Sequence, residues 1–115
     1  MTKVLVSTDF SEKSGYAVRA AGAMAAEQDT ELVCLHVIEE LDDGSAWLLL
    51  VETPAEIEQQ LRKERRERLQ EFCERELRGL YPLDRVTYRI EVGAPTDEIL
   101  LAADDLDASL LVVGT

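Results

Sequence analysis

The sequence predicts an α/β fold: a parallel sheet with helices on both faces. Three observations lead there. Val4-Leu5-Val6, Leu32 to Ile38 and Leu110 to Val113 are short, nearly continuous apolar runs rich in β-branched residues, the pattern of strands covered on both sides. The stretches between them place apolar residues at helical spacing, so strands alternate with helices and βαβ units follow. Where the first run ends, the chain carries helix-start chemistry: Ser11 offers an N-cap, and Glu12 puts negative charge in the first turn.

The first strand ends at Ser7, Thr8 and Asp9. Open α/β sheets bind ligands beyond the carboxyl ends of their strands, so Asp9 stands at the candidate edge. The first helix is expected from about Glu12 to Gln28, with Ala17, Ala20, Ala21 and Met24 marking its inner face. Glu31 to Ile38 reads as the second strand. From Glu39 to Thr53 the pattern is lost; Asp42, Asp43, Gly44 and Ser45 signal a turn. The apolar run Trp47 to Val51 that follows is too short for a membrane. It is expected to be a loop tucked against the core, with a pocket lid or a subunit contact as alternatives.

Pro54 suits the first turn of a second helix. Ile57, Leu61, Leu69, Phe72, Cys73, Leu77 and Leu80 give it a broken apolar stripe. Glu58 with Arg62, Glu64 with Arg68, Glu71 with Arg75, and Glu74 with Arg78 stand four apart, each pair worth a few tenths of a kcal/mol. Arg62, Lys63, Arg65, Arg66 and Arg68 alternate with glutamates, which argues for a solvated helix face rather than a basic patch. Gly79 and Pro82 end the helix. Arg85 to Val92 alternates, with Val86, Tyr88, Ile90 and Val92 apolar, and so reads as a strand at or near the sheet edge. Gly93 turns the chain, and Pro95, Asp97 and Glu98 open a third helix packed through Ile99, Leu100, Ala102, Ala103 and Leu106. Leu110 to Val113 is a fourth buried strand, followed by Gly114.

The 115 residues make one domain, 1–115, and 46% hydrophobic residues support a core. Against 12 basic residues stand 24 acidic ones, a net charge of −12. A field of that sign repels nucleic acid and anionic membranes, so neither is expected as a partner. Lysine is confined to Lys3, Lys13 and Lys63; many carboxylates with few lysines also suit a protein kept hydrated in high salt. Cys34 and Cys73 read as small buried hydrophobes rather than a disulfide, in a reducing compartment. With no signal core and no spanning run, the expected location is cytoplasmic. His36, the sole histidine, is expected to be a packed, hydrogen-bonded core residue rather than a catalyst or metal ligand.

Three patches together resemble a universal stress protein domain: Val4 to Glu12 with Ala17 and Ala21; Leu35-His36-Val37; and Gly93-Ala94-Pro95, Ile99, Ala102 and Ala103 leading into Leu110 to Thr115. The resemblance runs the length of the chain. It implies a Rossmann-like sheet of strand order 3-2-1-4, the family's fifth strand being absent. It also implies a crevice between the ends of the first and fourth strands, and an adenine nucleotide, ATP or AMP, as ligand. By the same resemblance Asp9 would hold the ribose or adenine side with Ser7 and Thr8 beside it. Val37 would meet adenine through its main chain, and Val113 and Gly114 would begin the phosphate loop. A carboxylate can accept from sugar hydroxyls or an exocyclic amine, and glycine amides can cradle phosphate. Asp9 could equally cap the helix, and Gly114 could be a turn glycine.

The family's loop continues as Gly-x-x-Gly and, some nine residues on, Gly and Ser or Thr; here only its opening Gly114 is present. Two readings are open: a chain that continues further in its native form, or a short form that does not hold ATP through phosphate contacts. The first is favoured because Leu110 to Val113 makes a poor free edge. The resemblance implies a homo-oligomer, expected as a homodimer, although the family's pairing through its last strand is not open to these residues. The expected function is a non-enzymatic stress-response binding protein, with a nucleotide-free interaction module as the alternative. Neither G-x-S-x-G nor G-x-x-x-x-G-K-[ST] occurs. A phosphoacceptor receiver would need an aspartate where Val92 and Gly93 stand, and a lysine on a later strand that this chain lacks.

Overall fold

In the computed structural model the described residues are 3–39 and 54–114, so the expectation for Trp47 to Val51 lies outside them. The elements are β1 (Lys3–Ser7), α1 (Glu12–Gln28), β2 (Glu31–Ile38), α2 (Pro54–Leu77), a 3₁₀ turn (Leu83–Arg85), β3 (Val86–Val92), α3 (Pro95–Asp105) and β4 (Leu110–Val113). All pairings are parallel, and the sheet order is β3-β2-β1-β4. The chain steps from β1 to β2 to β3 in one direction, then crosses back beyond β1. Crossovers of one hand therefore put α1 and α2 on one face and α3 on the other. Two cores result. Val6, Val18, Cys34, Leu69, Leu77 and Ile90 belong to the larger one; Leu5, Leu35, Val37 and Ala102 to the smaller.

Ser11 caps α1, its hydroxyl accepting from the Ser14 amide at 3.2 Å. The buried face of α1 is Ser14, Gly15, Ala17, Val18, Ala21, Gly22 and Ala25. Ala20 and Met24, expected inside, are exposed. The reason is steric: α2 crosses so closely that a Cβ on Gly22 would collide with the Leu77 side chain, and that crossing rotates the small-residue stripe inward. On α3, Leu100 is likewise exposed, because Ile99, Ala102, Ala103 and Leu106 fill the contact with the sheet. Leu80 falls beyond the end of α2 and is exposed. β4 is only partly buried, since among the described residues it has a strand on one side only, β1. Cys34 and Cys73 are buried free thiols, and Cys73 beside it, together with burial, pushes the Cys34 thiol up.

The arginines of α2 do not form the expected ladder. Of the four spaced pairs, only Glu58–Arg62 closes, at 3.4 Å, among the described residues. Instead the arginines reach the sheet. The Gly93 amide donates to the Ile38 carbonyl, so the main-chain groups of Tyr88 and Ile90 point out at the free edge of β3. Arg66 Nη1 donates to the Tyr88 carbonyl at 2.6 Å, and Arg62 Nη1 to the Ile90 carbonyl at 3.1 Å. The helix thus closes an edge that would otherwise template another strand. Arg66 is exposed and Arg62 partly so, as a solvated face requires, but their long side chains also lie along the sheet and reach its carbonyls. Among the described residues no helix is long and apolar enough to cross a membrane.

Replacing both Arg62 and Arg66 by alanine is expected to cost about 1–3 kcal/mol in urea unfolding. It should also cause concentration-dependent association in light scattering. An unchanged midpoint and an unchanged mass would return these arginines to the solvated surface.

Candidate functional site

The site grows from the end of β1. Thr8 donates its amide to the Leu35 carbonyl at 2.9 Å, the last rung between β1 and β2. The chain then turns. Asp9 Oδ1 accepts from the Ser11 amide at 2.9 Å, and Phe10 takes a left-handed conformation with φ 69°. Such a backbone costs of order 1–3 kcal/mol in a residue with a side chain. The Phe10 ring offsets that cost by packing: His36 lies 4.3 Å away centre to centre, Phe72 stands edge-on at 5.7 Å, and the Arg68 guanidinium covers the ring at 4.1 Å.

Thr8 is 3% exposed, and its hydroxyl is spent inside the protein. The Phe10 amide donates to Thr8 Oγ1 at 3.1 Å, and Ser14 Oγ donates to the Ser11 carbonyl at 2.9 Å. The 2.6 Å contact between the two hydroxyls must therefore run from Thr8 to Ser14, since Ser14 has only one hydroxyl hydrogen. His36 completes the turn. Its Nδ1 lies 2.9 Å from the Thr8 carbonyl and its Nε2 3.1 Å from Arg65 Nη1. A carbonyl can only accept and a guanidinium only donate, so the imidazole is neutral with its proton on Nδ1.

These elements wall a cleft of about 190 Å³ at the carboxyl edge of the sheet, where the strand order reverses between β1 and β4. All six residues singled out from the sequence, Ser7, Thr8, Asp9, Val37, Val113 and Gly114, line it. So do four others: His36, Glu39, Pro95 and Ile99. The sequence did hold a signal for Pro95 and Ile99, which open a helix after the third strand, but not for the side of α3 that faces β1. Val37 offers main-chain groups. The Leu35 carbonyl bonds toward β1, and Val37, two residues on, faces the same side past the end of that strand. Gly114 is a close-approach glycine: a Cβ there would stand 2.7 Å from Ser14 Cα and 2.9 Å from the Lys13 carbonyl. It seats the end of β4 on the first turn of α1. The Asp9 carboxyl is held below its ordinary value by the Ser11 hydroxyl and amide, so it is an anion at neutral pH. Among the described residues no cluster of three or more histidines, cysteines or carboxylates could hold a metal ion.

A parallel α/β domain with a polar cleft at its strand-order reversal is the class that fold and site define. The profile of the Universal stress protein family matches residues 1–115, and the chain belongs to that family. No curated protein matches the sequence. Among solved structures, protein Rv1636 from Mycobacterium tuberculosis H37Rv is 26% identical, with a TM-score of 0.64 over 98% of this chain and 70% of that one. Hypothetical protein MJ0577 is 28% identical, with a TM-score of 0.72 over 96% of this chain and 72% of that one. A universal stress protein solved in complex with cAMP shares the fold at 24% identity, with a TM-score of 0.60 over 96% and 69%.

Burial above all, with Arg65 and Arg68, holds the His36 pKa below its ordinary 6.5, against the opposite pull of the Thr8 carbonyl and Asp9. Well above pH 6.5 the imidazole is neutral whether folded or unfolded. Below it the unfolded chain takes the proton first, so stability falls with pH until the folded state also titrates. The melting temperature should therefore decline on acidification below pH 6.5. His36→Gln should flatten that decline; an equally steep decline in the variant would assign it to other groups.

Proposed function

We propose that this chain is a non-enzymatic regulatory protein of the stress response that binds the adenine nucleoside portion of a nucleotide such as ATP or AMP. The observation carrying this reading is the convergence of Ser7, Asp9, Val37, Val113 and Gly114 around one cleft at the strand-order reversal. In this reading Asp9 accepts from the ribose hydroxyls or the adenine amine, and Val37 meets adenine through its main chain. Ile99 and Val113 supply apolar contact, and Gly114 holds the end of β4 against the first turn of α1 so that both border the cleft. Members of the same family solved with cAMP and with dAMP support the ligand class. No step of bond making is assigned to the site.

A second reading has its own observation. Val113 on β4 and Leu100 and Leu101 on α3 are 45%, 58% and 62% exposed, and among the described residues β4 pairs with β1 alone. Exposed apolar side chains of that size suit a protein contact, including one between copies of the chain. In this reading the domain works as an interaction module, and the cleft is incidental.

Asp9→Ala separates the two. Loss of a charge-assisted hydrogen bond should weaken adenine-nucleotide binding about tenfold or more in titration calorimetry. The turn bond to Ser11 should cost only about 1 kcal/mol of stability. Unchanged affinity with a large drop in melting temperature would make Asp9 purely structural, and an unaltered chain that binds no adenine nucleotide would favour the interaction module.

A further inference from the structure

We propose that His36 and Arg65 form an acid-operated latch between β2 and α2: the neutral imidazole holds the guanidinium, and a protonated one releases it. The latch works whether or not the cleft takes a nucleotide. His36 is the sole histidine of the chain and is 6% exposed. Its Nδ1 stands 2.9 Å from the Thr8 carbonyl, and its Nε2 3.1 Å from Arg65 Nη1. The first contact uses the ring's one proton, so the second needs the lone pair on Nε2. An imidazolium has no lone pair. Its Nε2–H would face an N–H of a second cation, so Arg65 has to leave. The bond to Thr8 is the same in both states, so the ring stays in place and the latch opens on one side only.

The charges around the ring set the resting state. α2 contributes Arg65 at the ring's edge and Arg68 beyond the Phe10 ring, and both oppose an imidazolium. The β1–α1 turn contributes Asp9, which favours one, and Glu39 follows β2 on the wall of the same cleft. Glu12 and Lys13, in the first turn of α1, are exposed. On β3 the register partner of His36 is the uncharged Ile90, while Arg89 is bonded to Asp105 of α3. From β4 and α3 the cleft receives Val113, Pro95 and Ile99, none of them charged. Burial and the two guanidinium groups win, so the latch is closed at neutral pH. Among the described residues Arg65 bonds to His36 alone, so release sends it to solvent rather than to another acceptor. α2 then loses its tie to β2 beside the Phe10 turn, the turn that presents Asp9 to the cleft. The helix should open more readily there, as a local event rather than as unfolding of the domain.

The test is an NMR titration with hydrogen exchange on the 115-residue chain, from about pH 7.5 to 5, above the ordinary carboxylate range. One histidine gives one set of imidazole signals, so its titration is read without ambiguity. The expected midpoint lies below 6.5. The Arg65 Nε–H and the Phe10 and Ser11 amides should shift with that same midpoint. Exchange in α2 around Arg65 should speed up roughly tenfold through it, beyond the intrinsic change with pH. Arg65→Met keeps the apolar stem and removes donor and charge. In that variant exchange should already be fast at neutral pH and gain little on acidification, and the His36 midpoint should move up toward 6.5. A His36 midpoint at 6.5 or above in the unaltered chain would overturn the latch. So would Arg65 and Phe10 signals that stay still while His36 titrates, or an Arg65→Met chain whose exchange responds to pH as the unaltered chain does.

Discussion

The site depends on one buried residue, Thr8, and on the saturation of its hydrogen-bonding groups. Its amide closes the last rung to β2, its carbonyl accepts from His36 Nδ1, and its hydroxyl both accepts from the Phe10 amide and donates to Ser14. An unmet buried polar group costs about 1–3 kcal/mol, so each of these bonds constrains the others. Together they join the end of β1, the middle of β2 and the first turn of α1 at one point. The left-handed turn at Phe10 persists because the bonds of Thr8 and the ring stack over-determine it.

From that point the arrangement of charge follows. α2 lies over β2 and β3 and spends its arginines inward: Arg62 and Arg66 on the carbonyls of the β3 edge, Arg65 on His36, Arg68 on the Phe10 ring. The helix is thus both the lid of the larger core and the support of the cleft's back wall. Positive charge used in this way is not turned toward the cleft. What remains there is acidic, Asp9 and Glu39, and the two edges of the sheet differ. The β3 edge is sealed by guanidinium groups, whereas β4 ends on the half-exposed Val113.

Much of this was legible beforehand. The bounds expected for α1 and β2 match those observed, because Ser11 and Glu12 announce the helix start and an uninterrupted apolar run has few other uses. Asp9 and Gly114, more than a hundred residues apart, were placed together by the alternation of strands and helices and by the family likeness. His36 was expected to be packed and hydrogen-bonded, and it is; that it also lines the cleft was not legible, since its face depends on where α2 crosses. The same crossing misled the reading of Ala20 and Met24, because α1 carries alanines almost all round and periodicity could not choose among them.

What the sequence determined by itself was local: strand and helix identity, the caps, the acid at the end of β1 and the polar face of β3. These follow from side-chain period and backbone preference, which act over a few residues. What only the tertiary structure decided was who meets whom. Whether Arg62, Arg65, Arg66 and Arg68 answer glutamates one turn away or carbonyls, an imidazole and a ring across the sheet is a contest between weak, solvated pairs and partly buried partners. The buried partners exist only once the helix has docked.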